Sequence, residues 1–156
     1  MEGNGKIIGC YFQGTIASNY GAGGIVGALE SGGTVSGCYS IADFSGKGSY
    51  FGGIIGANKS SNSISSCYWS GNIYNGFGTS PAIAESPIKF DGTTGKTWED
   101  AKTAMNTVFT NKGSIWNYDT QSNNVTEPLV IKPKQYTVNA GTTCTYLWAE
   151  PRWRCV

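Results

Sequence analysis

The chain has 156 residues, a formal net charge of +1, no histidine and 23 glycines. So small a net charge creates no long-range field for nucleic acid, and no apolar run approaches the roughly 20 residues of a membrane span. Without histidine the chain lacks the commonest general base, which excludes Ser–His and Cys–His catalysis within it. Glycine, β-branched and aromatic residues recur at fixed places, so we expect an ordered protein rich in strands and turns.

A repeated pattern occupies residues 1–80. The run GGIVGA begins at Gly23, and the similar run GGIIGA begins at Gly52, 29 residues later. Each run precedes a polar turn and a Cys-Tyr pair, and an upstream half-copy contains the same pair at Cys10 and Tyr11. Self-similarity at such a period is typical of solenoids, whose repeats bury their faces against their neighbours. We predict a mainly β fold, a parallel β-solenoid (β-helix) with coils of about 29 residues, in which residues 25–28 and 54–57 pair and no helix occurs.

Three of the five cysteines occupy the same position of the repeat: Cys10, Cys38 and Cys67. In a parallel stack their side chains would lie about 4.8 Å apart and point the same way, whereas a disulfide needs Cβ atoms roughly 3.5–4.5 Å apart and facing each other. We therefore expect free, buried thiols. A zinc site is disfavoured because the chain has no histidine and no C-x-x-C pair. A bridge between Cys144 and Cys155 is left open, and it would indicate an oxidising compartment.

An aromatic residue follows each of these cysteines, which creates a predicted column of Tyr11, Tyr39 and Tyr68, with Trp69 beside the last. The column has two interpretations: a face on which sugar rings stack, or a ladder of rings that stiffens the fold. We favour the ladder, because neighbouring residues of a strand face opposite sides and only one of each Cys-Tyr pair can point outward. These four aromatic residues remain the candidate ligand contacts. No catalytic residue, metal ligand or cofactor is predicted.

The pattern changes in residues 81–134. Residues 88–90 predict one short edge strand between prolines and a Gly-rich turn. A spacing of 3.6 residues then predicts an amphipathic helix from Trp98 to about residue 110, opened by a capping box of Thr97 with Asp100 and ended by Gly113. Its apolar stripe comprises Trp98, Ala101, Met105, Val108 and Phe109. We expect this helix to cover the open end of the last coil, on Ile64 and Ile73, as a C-terminal cap.

Two short strands around Trp116 and Leu129 would complete this capping region. The tail at residues 135–156 is predicted to contain a hairpin formed by residues 136–138 and 143–148, and residues 150–156 show no usable period. We interpret the tail as the start of a further domain, and the chain as part of a longer protein.

The two glycine runs, the Ser-rich turns and the Cys-Tyr strands together resemble the GLUG motif of bacterial surface proteins. The closing segment is similar too, with AMN at residues 104–106, WNY at 116–118 and PLV at 128–130. The resemblance covers about residues 5–133 and implies an exported, adhesin-like chain. Some such proteins carry an IgA-specific metallopeptidase elsewhere, but its H-E-x-x-H motif is absent here. The resemblance implies no catalytic residues.

Three functional hypotheses follow. The first is a non-enzymatic, extracellular structural or adhesive repeat module of a bacterial surface protein, whose export signal lies outside this sequence and whose partners are host or matrix glycans or proteins. The second is a carbohydrate-binding or carbohydrate-active β-helix. The third is a spacer region of a larger secreted peptidase. Neither nucleic acid nor membrane insertion is expected.

Overall fold

The computed structural model of the chain describes residues 4–60, 62–73, 75–79, 87–89, 97–120, 129–138, 142–147 and 152–155. The side chains of residues 135–138, 142–147 and 152–155 lie outside this description. The described fold is mainly β, with parallel sheets and one helix in these ranges.

Three successive segments of the chain contribute strands to the same sheets. The first segment contains β1 (Lys6–Ile8), β2 (Tyr11–Ala17), β3 (Gly21–Gly23) and β4 (Val26–Leu29). The second contains β5 (Thr34–Ser36), β6 (Tyr39–Ser45), β7 (Tyr50–Gly52) and β8 (Ile55–Asn58). The third contains β9 (Ser63–Ser65), β10 (Tyr68–Ser70) and β11 (Phe77–Thr79).

Equivalent strands of the three segments pair in parallel. Sheet A has the order β1-β5-β9, sheet C pairs β3 with β7, and sheet D has the order β11-β8-β4. Sheet B has the order β12-β10-β6-β2, where β12 (Ile88–Lys89) is the predicted short edge strand. Val26 pairs with Ile55 and Ala28 with Ala57, so the predicted parallel pairing of residues 25–28 with 54–57 is confirmed. The described part of residues 1–80 contains no helix, as expected.

The bend between sheets A and B is built alike in each segment. Gly9, Gly37 and Ser66 precede the three Cys-Tyr pairs, and all three have positive φ, at 68°, 62° and 48°. Positive φ is readily reached by glycine and costs more for serine. The bend lies between the end of each sheet A strand and the Cys-Tyr pair that begins the next strand.

The space between the sheets holds one apolar cluster. Its buried members are Val26, Leu29, Val35, Cys38, Ile54, Ile55, Ile64, Cys67 and Trp69. Trp69 and Gly53 face each other across this space, because a Cβ on Gly53 would overlap the indole ring. Gly24 faces Ser40 in the same way one segment earlier. The second glycine of each GGI run is therefore required, because the opposing side chain occupies the space that a Cβ would need.

Asparagine side chains bond the backbone where the segments turn. The buried Asn62 accepts from the Gly33 amide at 2.8 Å and donates to the Asn58 side chain at 2.6 Å. The exposed Asn72 bonds both the amide and the carbonyl of Phe44, at 2.9 and 3.0 Å. The bond from Asn62 satisfies a buried backbone amide, which would otherwise cost about 1–3 kcal/mol.

The helix α1 (Trp98–Asn111) has the predicted boundaries. Thr97 is its N-cap, and the capping box is complete: the Asp100 amide donates to Thr97 Oγ1 at 3.3 Å, and the Thr97 amide donates to Asp100 Oδ2 at 2.8 Å. Gly113 follows the helix with a φ of 65°. Two antiparallel strands then follow, β13 (Trp116–Thr120) and β14 (Leu129–Pro133), where the sequence predicted them.

The predicted position of the helix on Ile64 and Ile73 is wrong. Both isoleucines belong to the interior cluster between the sheets. The helix instead buries Ala101, Met105 and Phe109 against Tyr39, Tyr68, Tyr118 and Leu129, outside the parallel sheets. The tyrosines of the Cys-Tyr pairs form an apolar outer face along all three segments, and an amphipathic helix buries more apolar surface there. We call α1, β13 and β14 the lateral cover.

The tail forms an antiparallel sheet of three strands: β15 (Gln135–Val138), β16 (Thr142–Leu147) and β17 (Arg152–Cys155). The predicted hairpin is confirmed, while β17 was not predicted. The register pairs Cys144 with Cys155. Directly opposite Cα atoms of an antiparallel pair lie about 4.5–5.5 Å apart, within the range of a disulfide. The sequence left the bridge open, and these two side chains lie outside the described residues.

Replacing Gly53 by alanine should destabilise the fold by about 1–3 kcal/mol, because the new methyl group overlaps the buried Trp69 ring. Gly27→Ala is the matched control, since a Cβ on Gly27 meets no atom within 4 Å. Urea unfolding of both variants measures the difference. Equal midpoints for Gly53→Ala and the parent would contradict the close approach of Gly53 to Trp69.

Candidate ligand-contact surfaces

The Cys-Tyr pairs face two different environments. Cys38 and Cys67 lie in the interior cluster, whereas Tyr39 and Tyr68 lie in the cluster beneath the lateral cover. This follows from the alternation of side chains along a strand. Trp69, one residue further on, returns to the interior.

The outward tyrosines form a packed aromatic cluster with the cover. The rings of Tyr11 and Tyr39 stack with centroids 5.1 Å apart and planes 5° from parallel. Tyr39 also meets Trp98 and Tyr118 edge to face, at 5.3 and 5.7 Å. Phe109 stacks on Tyr118 at 5.3 Å. Such pairs contribute about 0.5–1.5 kcal/mol each beyond the area they bury, so the cluster binds the cover to the sheets.

Buried hydrogen bonds set the position of the cover. The Tyr39 hydroxyl donates to the Leu129 carbonyl at 2.5 Å. The Tyr118 hydroxyl donates to the Gly37 carbonyl at 2.9 Å, and it also lies 3.2 Å from the carbonyl oxygen of Cys10. Asn106 joins the helix to β13, because its side chain bonds both the amide and the carbonyl of Tyr118, at 2.7 and 2.9 Å.

The four predicted ligand-contact residues are therefore not equally accessible. Tyr39, Tyr68 and Trp69 are buried, and Tyr11 is 39% exposed. Of these four, Tyr11 alone presents a surface to a ligand in this structure. Tyr39 and Tyr68 pack against the lateral cover, and the ladder interpretation stays a prediction.

The three thiols of the repeat are free. Cys38 and Cys67 are buried, as predicted, while Cys10 is exposed. The hydrogen bond with Cys10 lowers the pKa of Cys38, but that with Cys67 and the burial of the thiol together raise the pKa to about 12. A hydrogen bond with Cys38, and then burial, raise the pKa of Cys10. The net shift is upward for both Cys38 and Cys10, which keeps these thiols neutral. Neutral thiols are poor nucleophiles and poor metal ligands.

Most of the described carboxylates have structural partners, and only Glu99 and Asp100, both on α1, are adjacent among them. Glu30 pairs with Lys59 at 2.7 Å and Glu99 with Lys102 at 2.5 Å. Asp119 pairs with Lys132 at 3.1 Å, and this hydrogen bond lowers the pKa of Asp119. Asp100 caps the helix, and Asp43 lies exposed on β6. Within the described ranges no three Cys, Asp or Glu side chains are arranged to hold a metal ion.

Two surface features were not predicted. A groove of about 480 Å³ lies between the first segment and the cover, lined by Ile8, Gly9, Phe109, Lys112, Ser114, Trp116 and Ile131. A pair of exposed tyrosines lies elsewhere, where β3 and β7 begin: Tyr20 is 86% exposed and Tyr50 is 51% exposed. The Tyr20 carbonyl accepts from the amide of Ser49, which places the two tyrosines on adjacent segments. Their positions lie outside the repeated Cys-Tyr pattern, so the repeat did not single them out.

Comparison with protein-family models, with curated proteins and with solved structures finds no match for this chain. The one helix of the described part, α1, has 14 residues. No helix in those residues has the length and apolar character needed to cross a bilayer.

Replacing Phe109 by alanine should lower the free energy of unfolding by about 3–5 kcal/mol, because the ring is buried on Gly9 and Tyr118. Thr107→Ala, on the exposed face of the same helix, should change it by less than about 0.5 kcal/mol. Denaturant unfolding measures both. If the two variants unfold alike, the helix is not held on the tyrosine column.

The free energy of unfolding should fall as pH rises above about 9. The pKa of Cys38 is raised in the folded protein, so the unfolded chain loses this proton first and stability is lost with rising pH. Burial likewise raises the pKa of Tyr118, which adds a loss above about pH 10. Cys38→Ala should reduce the slope by about 1.4 kcal/mol per pH unit between pH 9 and 11, measured by urea unfolding. An unchanged slope would show that Cys38 titrates alike in both states.

Proposed function

We propose that the three segments are coils of a parallel β-solenoid and that the lateral cover closes one of its side walls. In sheets A and B the equivalent strands pair with offsets of 28 residues between the first two segments and 29 between the next two. In sheet D the offset is 29 between β4 and β8 and 22 between β8 and β11, so the third segment is shorter there. Side chains at one repeat position consequently form columns: thiols inside, tyrosines outside. This regular stacking supports a structural role, because each added coil extends the same wall by about 4.8 Å.

We infer that the chain is a non-enzymatic structural and adhesive module of a bacterial surface protein of the GLUG type. The observation that carries this proposal is the burial of Tyr39 and Tyr68 under α1 and β13–β14. Residues that would form a sugar-stacking face instead hold the architecture together. The sequence resemblance adds the expected extracellular location and the expected partners, which are host or matrix glycans or proteins.

The carboxylates support a role other than hydrolysis. Glycoside hydrolysis needs two carboxyl groups roughly 5–9.5 Å apart across one cleft. Glu30, Glu99 and Asp119 are each used in an ion pair, and Asp100, which adjoins Glu99 on α1, is used in the helix cap.

A carbohydrate-binding role is the second candidate, and Tyr20 and Tyr50 favour it. Both rings are exposed on adjacent segments, but Gly21 pairs with Tyr50, so the two tyrosines are one residue out of register and are not stacked neighbours. Each ring by itself suits the apolar face of a sugar ring, and tyrosine offers a hydroxyl for hydrogen bonds. Either ring would also serve as an adhesive contact of the module.

A binding screen against immobilised glycans and matrix proteins tests the proposal. We expect the parent to bind at least one of them, and Tyr20→Ala/Tyr50→Ala to weaken binding by about tenfold or more, since each lost aromatic contact costs about 1 kcal/mol. Thr107→Ala, on the exposed face of α1, serves as the control outside this pair. Release of reducing sugar from a bound polysaccharide by the parent would contradict the non-enzymatic assignment, and no binding at all would contradict the adhesive one.

A further inference from the structure

Two turns pack against each other at the corner between sheets B and C. One joins β2 to β3, and the other joins β6 to β7. What we call the corner surface comprises residues 18–20 and 46–50. The Ser18 amide donates to the Ser45 carbonyl at 3.0 Å, and the Ser49 amide donates to the Tyr20 carbonyl at 2.9 Å. These two hydrogen bonds fix the second turn on the first.

Glycines allow this close contact of the two turns. A Cβ on Gly46 would overlap the carbonyl oxygen of Ser18, and a Cβ on Gly48 would lie 2.6 Å from that of Tyr20. Lys47, between the two glycines, therefore has its backbone held against the first turn, while its side chain is exposed. A contact made from such a fixed backbone costs a ligand little ordering entropy.

The corner surface lies on a side wall of the stack and not at one of its ends. Lys47 and Tyr50 belong to the second segment, whose strand β6 is flanked by β2 and β10 and whose strand β8 is flanked by β4 and β11. Tyr20 is 86% exposed and Tyr50 is 51% exposed. Both rings consequently project sideways from the stack, away from the direction in which strands are added.

The composition of the corner surface suits a polar, negatively charged ligand. It contains two tyrosines, two serines, two glycines, one asparagine and one lysine. Tyrosine supplies rigid contact area, while serine, glycine and asparagine supply adaptable hydrogen bonds. Lys47 gives the surface a positive charge, since the carboxylate of Asp43 lies outside it, on β6. The ion pairs found in the described ranges involve other lysines, namely Lys59, Lys102 and Lys132.

We propose that the corner surface binds an acidic glycan, with sugar rings on the faces of Tyr20 and Tyr50 and a carboxylate of the glycan paired with Lys47. The inference rests on the carbohydrate-binding role proposed above and specifies its ligand class. A glycan fits better than an acidic peptide, because peptide side chains are usually anchored in buried pockets. The groove beside α1 is lined by other residues, so the corner surface offers open ring faces instead.

NMR titration of the isotope-labelled protein with short oligosaccharides tests the proposal. It measures weak affinities, and the shifted amide signals locate the contact. The probes are oligomers of polygalacturonate, alginate and hyaluronan, each compared with its methyl ester, which keeps the sugars but loses the charge. We expect at least one acidic oligomer to bind about fivefold more tightly than its ester at low salt. The difference should vanish at about 1 M salt, where the Debye length is roughly 3 Å.

Substitutions separate the charge from the ring contacts. Lys47→Gln should weaken binding of the acidic oligomer about fivefold and leave binding of the ester unchanged, while Lys47→Arg should bind like the parent. Tyr20→Ala/Tyr50→Ala should weaken both forms, because stacking does not depend on the carboxylate. Lys112→Gln is the matched control, since it removes one positive charge from an exposed residue beside the groove and outside the corner surface.

Four results would overturn the proposal. Equal affinity for acidic and esterified oligomers would remove the ligand class and leave the carbohydrate-binding role standing. No binding of any oligomer, charged or esterified, would contradict both. Weaker binding by Lys112→Gln but not by Lys47→Gln would place the carboxylate at the groove. A polyglutamate peptide that binds as tightly as the best acidic oligomer would show that the surface recognises charge and not sugar.

Discussion

The structure depends on the alternation of Cys and Tyr at one repeat position of sheet B. Parallel pairing in register places equivalent residues above one another, and the strand pleat sends neighbours to opposite faces. One column of thiols therefore lies inside, and one column of tyrosines lies outside. The thiol column fills the interior with Val35, Ile54 and Trp69, while the tyrosine column requires a cover.

That requirement explains the segment that follows the repeats. An amphipathic helix can bury its stripe wherever apolar surface is available, and the tyrosine column offers a long continuous face. Directional contacts then select one placement: the hydroxyls of Tyr39 and Tyr118 donate to carbonyls of Leu129 and Gly37, across the boundary between cover and sheets. Because these hydroxyls are buried, each bond would leave an unsatisfied group if the helix shifted. The cover is thus held in register with the segments.

The same packing decides which surfaces remain for function. The candidate ligand-contact residues were chosen because they repeat, and repetition in this fold marks structural columns. The exposed tyrosines at the start of β3 and β7 do not repeat as a Cys-Tyr pair. Contacts with other molecules are therefore proposed at places that the repeat does not mark.

The sequence by itself determined the parallel pairing, the helix with its Thr97–Asp100 capping box and Gly113 end, the strands of the cover and the buried thiols of Cys38 and Cys67. Each of these follows from local chemistry or from a fixed period. Only the tertiary structure decided where the helix lies, that Gly53 must admit Trp69, that Cys10 is exposed and that β17 pairs with β16. These outcomes depend on which surfaces meet, and several apolar surfaces compete for one helix face. A linear pattern shows that a stripe must be buried, but the choice of partner is made by the area and the hydrogen bonds available in three dimensions.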